Sequence, residues 1–170
     1  GVPTTANYII QATISAPALV ALGVPAIAAH MFVFYFGIVA DITPPVALAA
    51  YAGSAIAKAP PMKTAINATK LAIAAFIVPY ILAFNPAMVF IDTNAISVVQ
   101  ICITSLLGIF GIAAALNGFL YGKLNPVFRL ALIAGGLCMM DPGAMTDIIG
   151  LVLVVGIIIF QRVTSKKAAA

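Results

Sequence analysis

Residues 26–57 read AIAAHMFVFYFGIVADITPPVALAAYAGSAIA, an apolar run that is interrupted once, at Asp41-Ile42-Thr43-Pro44-Pro45. Two adjacent prolines remove two backbone donors and disfavour helical geometry in the residues before them. The run therefore cannot form one continuous helix. We predict two half-helices, over 26–40 and 46–57, separated by an unwound segment that carries an aspartate.

The composition around this segment is that of a membrane protein. Of the 170 residues, 64% are hydrophobic and only 7% are charged, and the mean hydropathy is +1.21. A soluble domain carries about 25% charged residues, so this chain could not cover a water-exposed surface. We predict an all-α integral membrane protein. The net charge of +4 comes from scattered Lys and Arg that form no basic face, which argues against a nucleic-acid partner.

The sequence contains no pattern typical of an enzyme. Cys102 and Cys138 lie in apolar stretches without the spacing of a zinc site, and no P-loop, paired-carboxylate or nucleophile-elbow motif occurs. We expect no cofactor. An intramembrane enzyme that uses Asp41 or His30 is disfavoured because no second carboxylate or nucleophile lies at a matching depth.

The cations predict the topology, since Lys and Arg tend to remain in cytoplasmic loops. They fall into three groups: Lys58, Lys63 and Lys70; Lys123 and Arg129; and Arg162, Lys166 and Lys167. Between the first two groups, the apolar runs 71–91 and 95–120 are each long enough to cross a bilayer. Between the last two groups, 130–140 and 148–160 are shorter legs that need tilt or a partly re-entrant hairpin. The C-terminus is then cytoplasmic.

Counting residues back along the helices from the cytoplasmic Lys58 places two irregular polar segments at a similar depth in the membrane. A helix over 6–22 runs inward from the outer face, so its start, at Pro3, Thr4, Thr5 and Asn7, lies near the bilayer midplane together with 41–45. Unwound backbone at that depth occurs only where it is buried in protein or lines a watery cavity, and a pair of such segments is typical of a transporter's substrate and ion site. Two plainer interpretations stay open: a capped helix start at 3–7, and an ordinary kink at 41–45.

The broken segments offer suitable chemistry for both an anion and a small cation. Half-helix N-termini present unpaired N–H groups and partial positive charge to an anion. Freed carbonyls and threonine hydroxyls present hard oxygens to a cation such as Na⁺. Coupling by H⁺ stays open as well, since Asp41 and His30 are both titratable.

Three stretches carry a family resemblance: GVPTTANYI (residues 1–9), AHMFVFYFG (29–37) and DITPPVALAAY (41–51). They closely resemble the large permease component of tripartite ATP-independent periplasmic (TRAP) transporters, and in particular the fused permeases served by TAXI substrate-binding proteins. The resemblance extends from residue 1 to about 150. Ala47 departs from it, because many relatives of the non-TAXI type have glycine at that position.

The resemblance implies an elevator-type secondary transporter of the bacterial or archaeal cytoplasmic (inner) membrane that imports organic anions, usually carboxylates, with Na⁺. Its partners are a periplasmic substrate-binding protein, the lipid bilayer and the remainder of the permease. Residues 1–57 would be part of the transport domain, 58–70 a cytoplasmic or interfacial loop, and 71–170 C-terminal transmembrane helices. Na⁺ would bind through Thr5, Asn7, Thr43 and nearby carbonyls. The implied substrate- and ion-binding residues are Gly1, Pro3, Thr4, Thr5, Asn7, Asp41, Thr43, Pro44 and Pro45.

The resemblance also implies that half of a symmetric transporter is absent: the first inverted repeat, the small-subunit helices and the first leg of the second hairpin. We therefore expect that these residues alone do not transport. A competing hypothesis is that the chain is a scaffold or assembly segment without an ion or substrate site of its own, a description that fits the helices from residue 71 onward.

Overall fold

A computed structural model describes residues 3–91, 93–141 and 143–168, with side chains up to residue 164. Over these residues the chain is helical, and the only extended pairing is an isolated bridge between Phe119 and Lys123. The predicted all-α class is therefore confirmed. The α-helices are α1 (Thr4–Ala21), α2 (Ala26–Val39), α3 (Leu48–Ile56), α4 (Pro61–Leu71), α5 (Ile73–Phe84), α6 (Ala95–Asn117), α7 (Pro126–Cys138) and α8 (Ala144–Ala168), with 3-10 helices at Ala40–Ile42 and Pro86–Val89.

Three helical segments of the described residues are long and apolar enough to cross a membrane: Pro61–Phe84, Ala95–Asn117 and Ala144–Thr164. Two shorter apolar segments, Ala26–Ile42 and Pro126–Cys138, accompany them. The first long segment joins α4 and α5, which are separated only by Ala72. These lengths agree with the membrane character predicted from composition.

The predicted span over 71–91 was wrong at both ends. The helical segment begins ten residues earlier, at Pro61, because proline is well suited to the first helical position and Lys63 and Lys70 are tolerated on an exposed helix surface. It ends at Phe84, because Pro86 disfavours helical geometry in Asn85. The segment 58–70, expected as a loop, is for the most part the helix α4.

The last pair of helices is unequal. α7 has 13 residues and is short, as predicted, whereas α8 has 25 residues and rises about 37 Å, so the prediction of a second short leg at 148–160 was wrong. The helix extends beyond its apolar centre because an aspartate, Asp147, is favourable in a first turn and cations such as Arg162 are favourable toward a C-terminus.

The chain divides into two compact units, which we call the first unit (Gly1–Val89) and the second unit (Phe90–Ala170). The first unit is held together by three contacts between helices. α1 and α2 share a small core of Ala16, Ala29 and Val33, and α3 packs on α4 through the buried Ala50 and Ala65. α2 meets α5 through aromatic rings: Phe32, Phe36, Phe76 and Tyr80.

The second unit is a bundle of α6, α7 and α8 in which glycines permit close approach. A methyl group added at Gly136 would lie 2.6 Å from the carbonyl oxygen of Gly108 and 2.6 Å from Cγ1 of Ile112. Small residues allow the backbones of membrane helices to approach closely, and van der Waals packing then stabilises the pair. Leu132 and Val154 are fully buried in the centre of this bundle.

The functional division at residues 57 and 70 stays a prediction. The boundary between the compact units lies elsewhere, between Val89 and Phe90, and it concerns packing and not function.

Candidate functional site

The helix break lies where the prolines predict it. α2 ends at Val39, a 3-10 turn covers Ala40–Ile42, Thr43 is extended, and α3 begins at Leu48. The two half-helices are therefore present, within two residues of their predicted bounds. The peptide bond between Pro44 and Pro45 is cis.

Ala47 is the residue that returns the chain to helical geometry after the prolines. Its φ of 37° and ψ of 40° are left-handed, and its side chain is completely buried. This conformation is unfavourable by about 1–2 kcal/mol for a residue with a Cβ, whereas glycine adopts it freely. In this chain, the Ala47 N–H donates to the carbonyl of Thr43 (3.0 Å), which helps to hold the conformation.

The start of α1 and the helix break are in contact. The Thr4 hydroxyl donates a hydrogen bond of 3.3 Å to Oδ2 of Asp41, and the Asn7 amide donates one of 3.3 Å to the carbonyl of Gly37. Thr4, Asn7 and Asp41 are all partly buried. Two polar segments that are 37 residues apart in the sequence therefore meet, while their predicted depth in the membrane stays a prediction.

The helix start at Thr4 is not stabilised by a side-chain cap. Pro3 occupies the capping position, and no side chain there accepts a bond from the first turn of α1. The interpretation of Thr4 and Asn7 as simple capping residues therefore does not describe this structure, because both side chains bond toward the region of the break instead.

Thr43 and Thr69 satisfy carbonyls that the break exposes. The Thr43 hydroxyl donates to the carbonyl of Val39 at 2.6 Å, and the Thr69 hydroxyl, on α4, lies 3.1 Å from the carbonyl of Ile42 and 3.0 Å from that of Ala65. The sequence gives no signal for Thr69, since nothing in an amphipathic helix distinguishes a threonine that faces another segment.

The other predicted site residues are less well connected. Thr5 is exposed, and its side chain makes no hydrogen bond among the described residues; Pro45 is exposed and Pro44 partly buried. Gly1 lies outside the described residues. No group of three His, Cys, Asp or Glu side chains that could hold a metal ion occurs in the described part of the chain. An Na⁺ site here would therefore consist mainly of hydroxyl, amide and backbone oxygens.

Residues 1–97, more than half of the chain, match the family described as Tripartite ATP-independent periplasmic transporter, DctM component. The chain belongs to this family. No curated protein and no solved structure matches the chain. The DctM family is one of secondary transporters and not of enzymes, and together with the three long apolar helices it makes this chain a multi-pass membrane protein.

The matched part of the DctM chain comprises the whole first unit and only the beginning of α6. Thr4, Asn7, Asp41 and Thr43 all lie within it. The contacts between the helix start and the helix break thus belong to the part of the chain for which the family is shown.

A second polar pair of the DctM chain lies between α1 and α2. The Tyr8 hydroxyl is 3.1 Å from Nδ1 of His30, and both side chains line an open cavity of about 370 Å³ together with Ile27, Met31 and Phe34. The sequence analysis identified His30 as titratable but did not predict its partner. Tyr8 and His30 are 22 residues apart, so only the antiparallel packing of α1 on α2 brings them together.

Proposed function

We propose that this DctM chain forms part of an Na⁺-coupled TRAP transporter of the TAXI type, which imports organic anions, carboxylates in particular, that a periplasmic binding protein delivers. It acts together with the remainder of the permease, in the cytoplasmic membrane of a bacterium or archaeon and with a cytoplasmic C-terminus. The observation that carries the proposal is the contact between Thr4 and Asp41, which joins a helix start to a helix break.

The break supplies oxygens for a cation. Asp41 brings a carboxylate to a point where the backbone has left α-helical geometry, and only its Oδ2 is bonded by Thr4. Placing an aspartate in a segment inside the membrane costs free energy, so such a residue usually has a functional role or a partner. A bound Na⁺ would compensate the carboxylate, and its further oxygen ligands would be the Thr4 hydroxyl that is bonded to Asp41, the Thr43 hydroxyl and backbone carbonyls of the break.

The start of α1 supplies donors for an anion. Because no side chain caps this helix, its first N–H groups remain available and carry partial positive charge. In transporters with broken helices, such half-helix N-termini point at anionic groups of the substrate. A carboxylate bound here would lie close to the cation at Asp41, so that each ligand would favour binding of the other. In the complete permease, an elevator motion would then carry both across the membrane.

The test is uptake of labelled carboxylates by the permease that contains this chain, reconstituted in liposomes with its binding protein, with and without an inward Na⁺ gradient. We expect Asp41→Asn and Thr4→Val to lower gradient-driven uptake at least tenfold. Thr43→Ala should raise the Na⁺ concentration needed for half-maximal uptake. Thr13→Val is the matched control, because the Thr13 hydroxyl is exposed and bonds only to carbonyls of its own helix.

The pair of Tyr8 and His30 favours one alternative, which is coupling to H⁺. The Tyr8 hydroxyl and Nδ1 of His30 are 3.1 Å apart and line an open cavity, which is where a group that carries a coupling proton would have to lie. Uptake that follows a proton gradient alone, and that is lost on His30→Gln but not on Thr4→Val, would support this alternative. If uptake is absent with every carboxylate, or is indifferent to all these substitutions, the chain is a scaffold segment.

A further inference from the structure

A basic groove at one end of the second unit has no role in the proposed transport site. It is an open cavity of about 270 Å³ lined by Pro126, Arg129, Leu130 and Ile133, all on α7. Three of its four lining residues are apolar and the fourth is a cation. The groove therefore combines a charged contact with an apolar wall.

Arg129 is fixed in this groove by the end of α6. Its Nε donates to the carbonyl of Ala115 at 2.6 Å, its Nη2 lies 3.4 Å from the carbonyl of Leu116, and the guanidinium packs against Gly118, which is in the left-handed conformation. These contacts use Nε and one hydrogen of Nη2. A guanidinium has five N–H groups, and no described acceptor bonds the Nη1 group. The side chain is therefore held in place, while the N–H groups of Nη1 can donate to a ligand.

The end of the unit that holds the groove is positively charged. The rings of Phe128 and Phe160 are in contact, with centroids 5.4 Å apart, and this contact brings the start of α7 to the last part of α8. Lys123, Arg129 and Arg162 thus lie at the same end, and Lys123 and Arg162 are exposed. The acidic residues of this unit whose placement is described, Asp141 and Asp147, lie toward the opposite end, where α7 ends and α8 begins.

The apolar wall continues onto the outer surface of the helix. Leu130 is 69% exposed and Val127 is 67% exposed, and both belong to the first turns of α7. A membrane protein meets the acyl chains of lipids on such a surface. A ligand of the groove would therefore place an anionic group against Arg129 and an apolar chain along Leu130 and Ile133.

We infer that the groove binds an anionic phospholipid, with the phosphate on the Arg129 guanidinium and an acyl chain along α7, in the leaflet on the side of Lys123 and Arg162. Basic pockets at the ends of transmembrane helices are suited to lipid head groups, and a guanidinium can donate two parallel hydrogen bonds to a phosphate. The bound lipid would then lie beside the contact that Arg129 makes between the end of α6 and the start of α7.

The test is a titration of the purified permease in detergent with phosphatidylglycerol, phosphatidylcholine or inorganic phosphate, followed by native mass spectrometry. We expect phosphatidylglycerol to bind more tightly than phosphatidylcholine. Arg129→Gln should weaken its binding about fivefold, the ratio that corresponds to about 1 kcal/mol for a cation near a membrane surface. Arg162→Gln is the matched control, a cation at the same end that does not line the groove, and it should change binding less than twofold.

A second variant separates the groove from the fold, since Arg129 also satisfies the end of α6. Ile133→Phe fills the cavity and leaves the guanidinium in place, so it should weaken phosphatidylglycerol binding while the protein stays folded. Equal binding of both lipids, equal losses in the Arg129 and Arg162 variants, or unchanged binding in Ile133→Phe would overturn the inference. Displacement of the lipid by millimolar inorganic phosphate would assign the site to a free anion, and failure of any lipid to bind would mean that protein covers the groove.

Discussion

The two units begin their helices in different ways. In the first unit, α1, α2 and α4 each follow a proline, α3 follows the left-handed Ala47, and no side chain caps any of them. In the second unit, α6 and α7 each begin at an asparagine whose side chain accepts a backbone bond, Asn94 from Ser97 and Asn125 from Val127. The helix starts of the first unit thus leave backbone N–H groups without a capping side chain, whereas α6 and α7 of the second unit each have one.

The two units also differ in how their helices contact one another. The second unit brings backbones together through glycines such as Gly108 and Gly136, and the fit leaves no room for a methyl group. The first unit joins α1 to α2 and the break through side-chain hydrogen bonds, of which Asn7 to Gly37 is one. Polar pairs of this kind can exchange one partner for a ligand, whereas glycine packing cannot. If the proposed function is correct, this difference suits the first unit to binding of the ion and the substrate.

The largest effect that the comparison predicts comes from Gly136→Ala. The added methyl group would meet the carbonyl oxygen of Gly108 at 2.6 Å, and a backbone atom cannot move aside without separating α6 from α7. We expect a loss of about 1–3 kcal/mol in the free energy of unfolding, measured by denaturant titration in detergent.

Gly156→Ala is the matched control for this substitution. It lies on α8 with no atom within 4 Å of the added methyl group, so the change should be neutral or should stabilise the helix by up to about 1 kcal/mol. Equal stability of the two variants would show that the glycines of the second unit do not hold its helices together.

An intermediate effect is expected from Asn7→Leu in the first unit. The substitution removes the bond to the carbonyl of Gly37 and the bond that Asn7 accepts from Gln11, both 3.3 Å long, and leaves a partly buried carbonyl without its partner. The free energy of unfolding should fall by about 1–2 kcal/mol. If the variant is as stable as the parent, the bond between Asn7 and Gly37 does not stabilise the contact of α1 with α2.

The smallest effect is expected from Asn94→Ala at the start of α6. Loss of the 2.8 Å bond from the Ser97 N–H should cost about 1 kcal/mol, and thermal unfolding should begin at a lower temperature. Pro25→Ala, at the uncapped start of α2, removes no such bond. A matching loss there would contradict the contrast between capped and uncapped helices.

The fold could be predicted where backbone chemistry is local. The prolines at 44 and 45 place the break within two residues, because their effect does not depend on distant contacts. The ends of the membrane segments could not be placed from hydropathy alone. Lys63 and Lys70 lie inside the helix α4, and Asp147 lies inside α8, so charged residues that seemed to end the apolar runs are in fact parts of longer helices.

The candidate site could be predicted in part. Counting residues along helices predicts a similar depth for Thr4 and Asp41, which stays a prediction, and the structure shows the two side chains bonded. The left-handed conformation of Ala47 had no signal in the residue itself, since alanine rarely adopts it. The pairs of Tyr8 with His30 and of Thr69 with Ile42 had none, because the rotation of one helix about its axis relative to its neighbour is set by packing.

The contact of Thr69 with the break has a mechanical consequence. Its hydroxyl attaches α4 to the carbonyl of Ile42, while Ala47 and Ala50 pack against Ala65 on the same helix. Rotation of α3 about the prolines would have to open both contacts at once. The break, α3 and α4 are therefore held to one another at two separate points, so we expect α3 to move only together with α4.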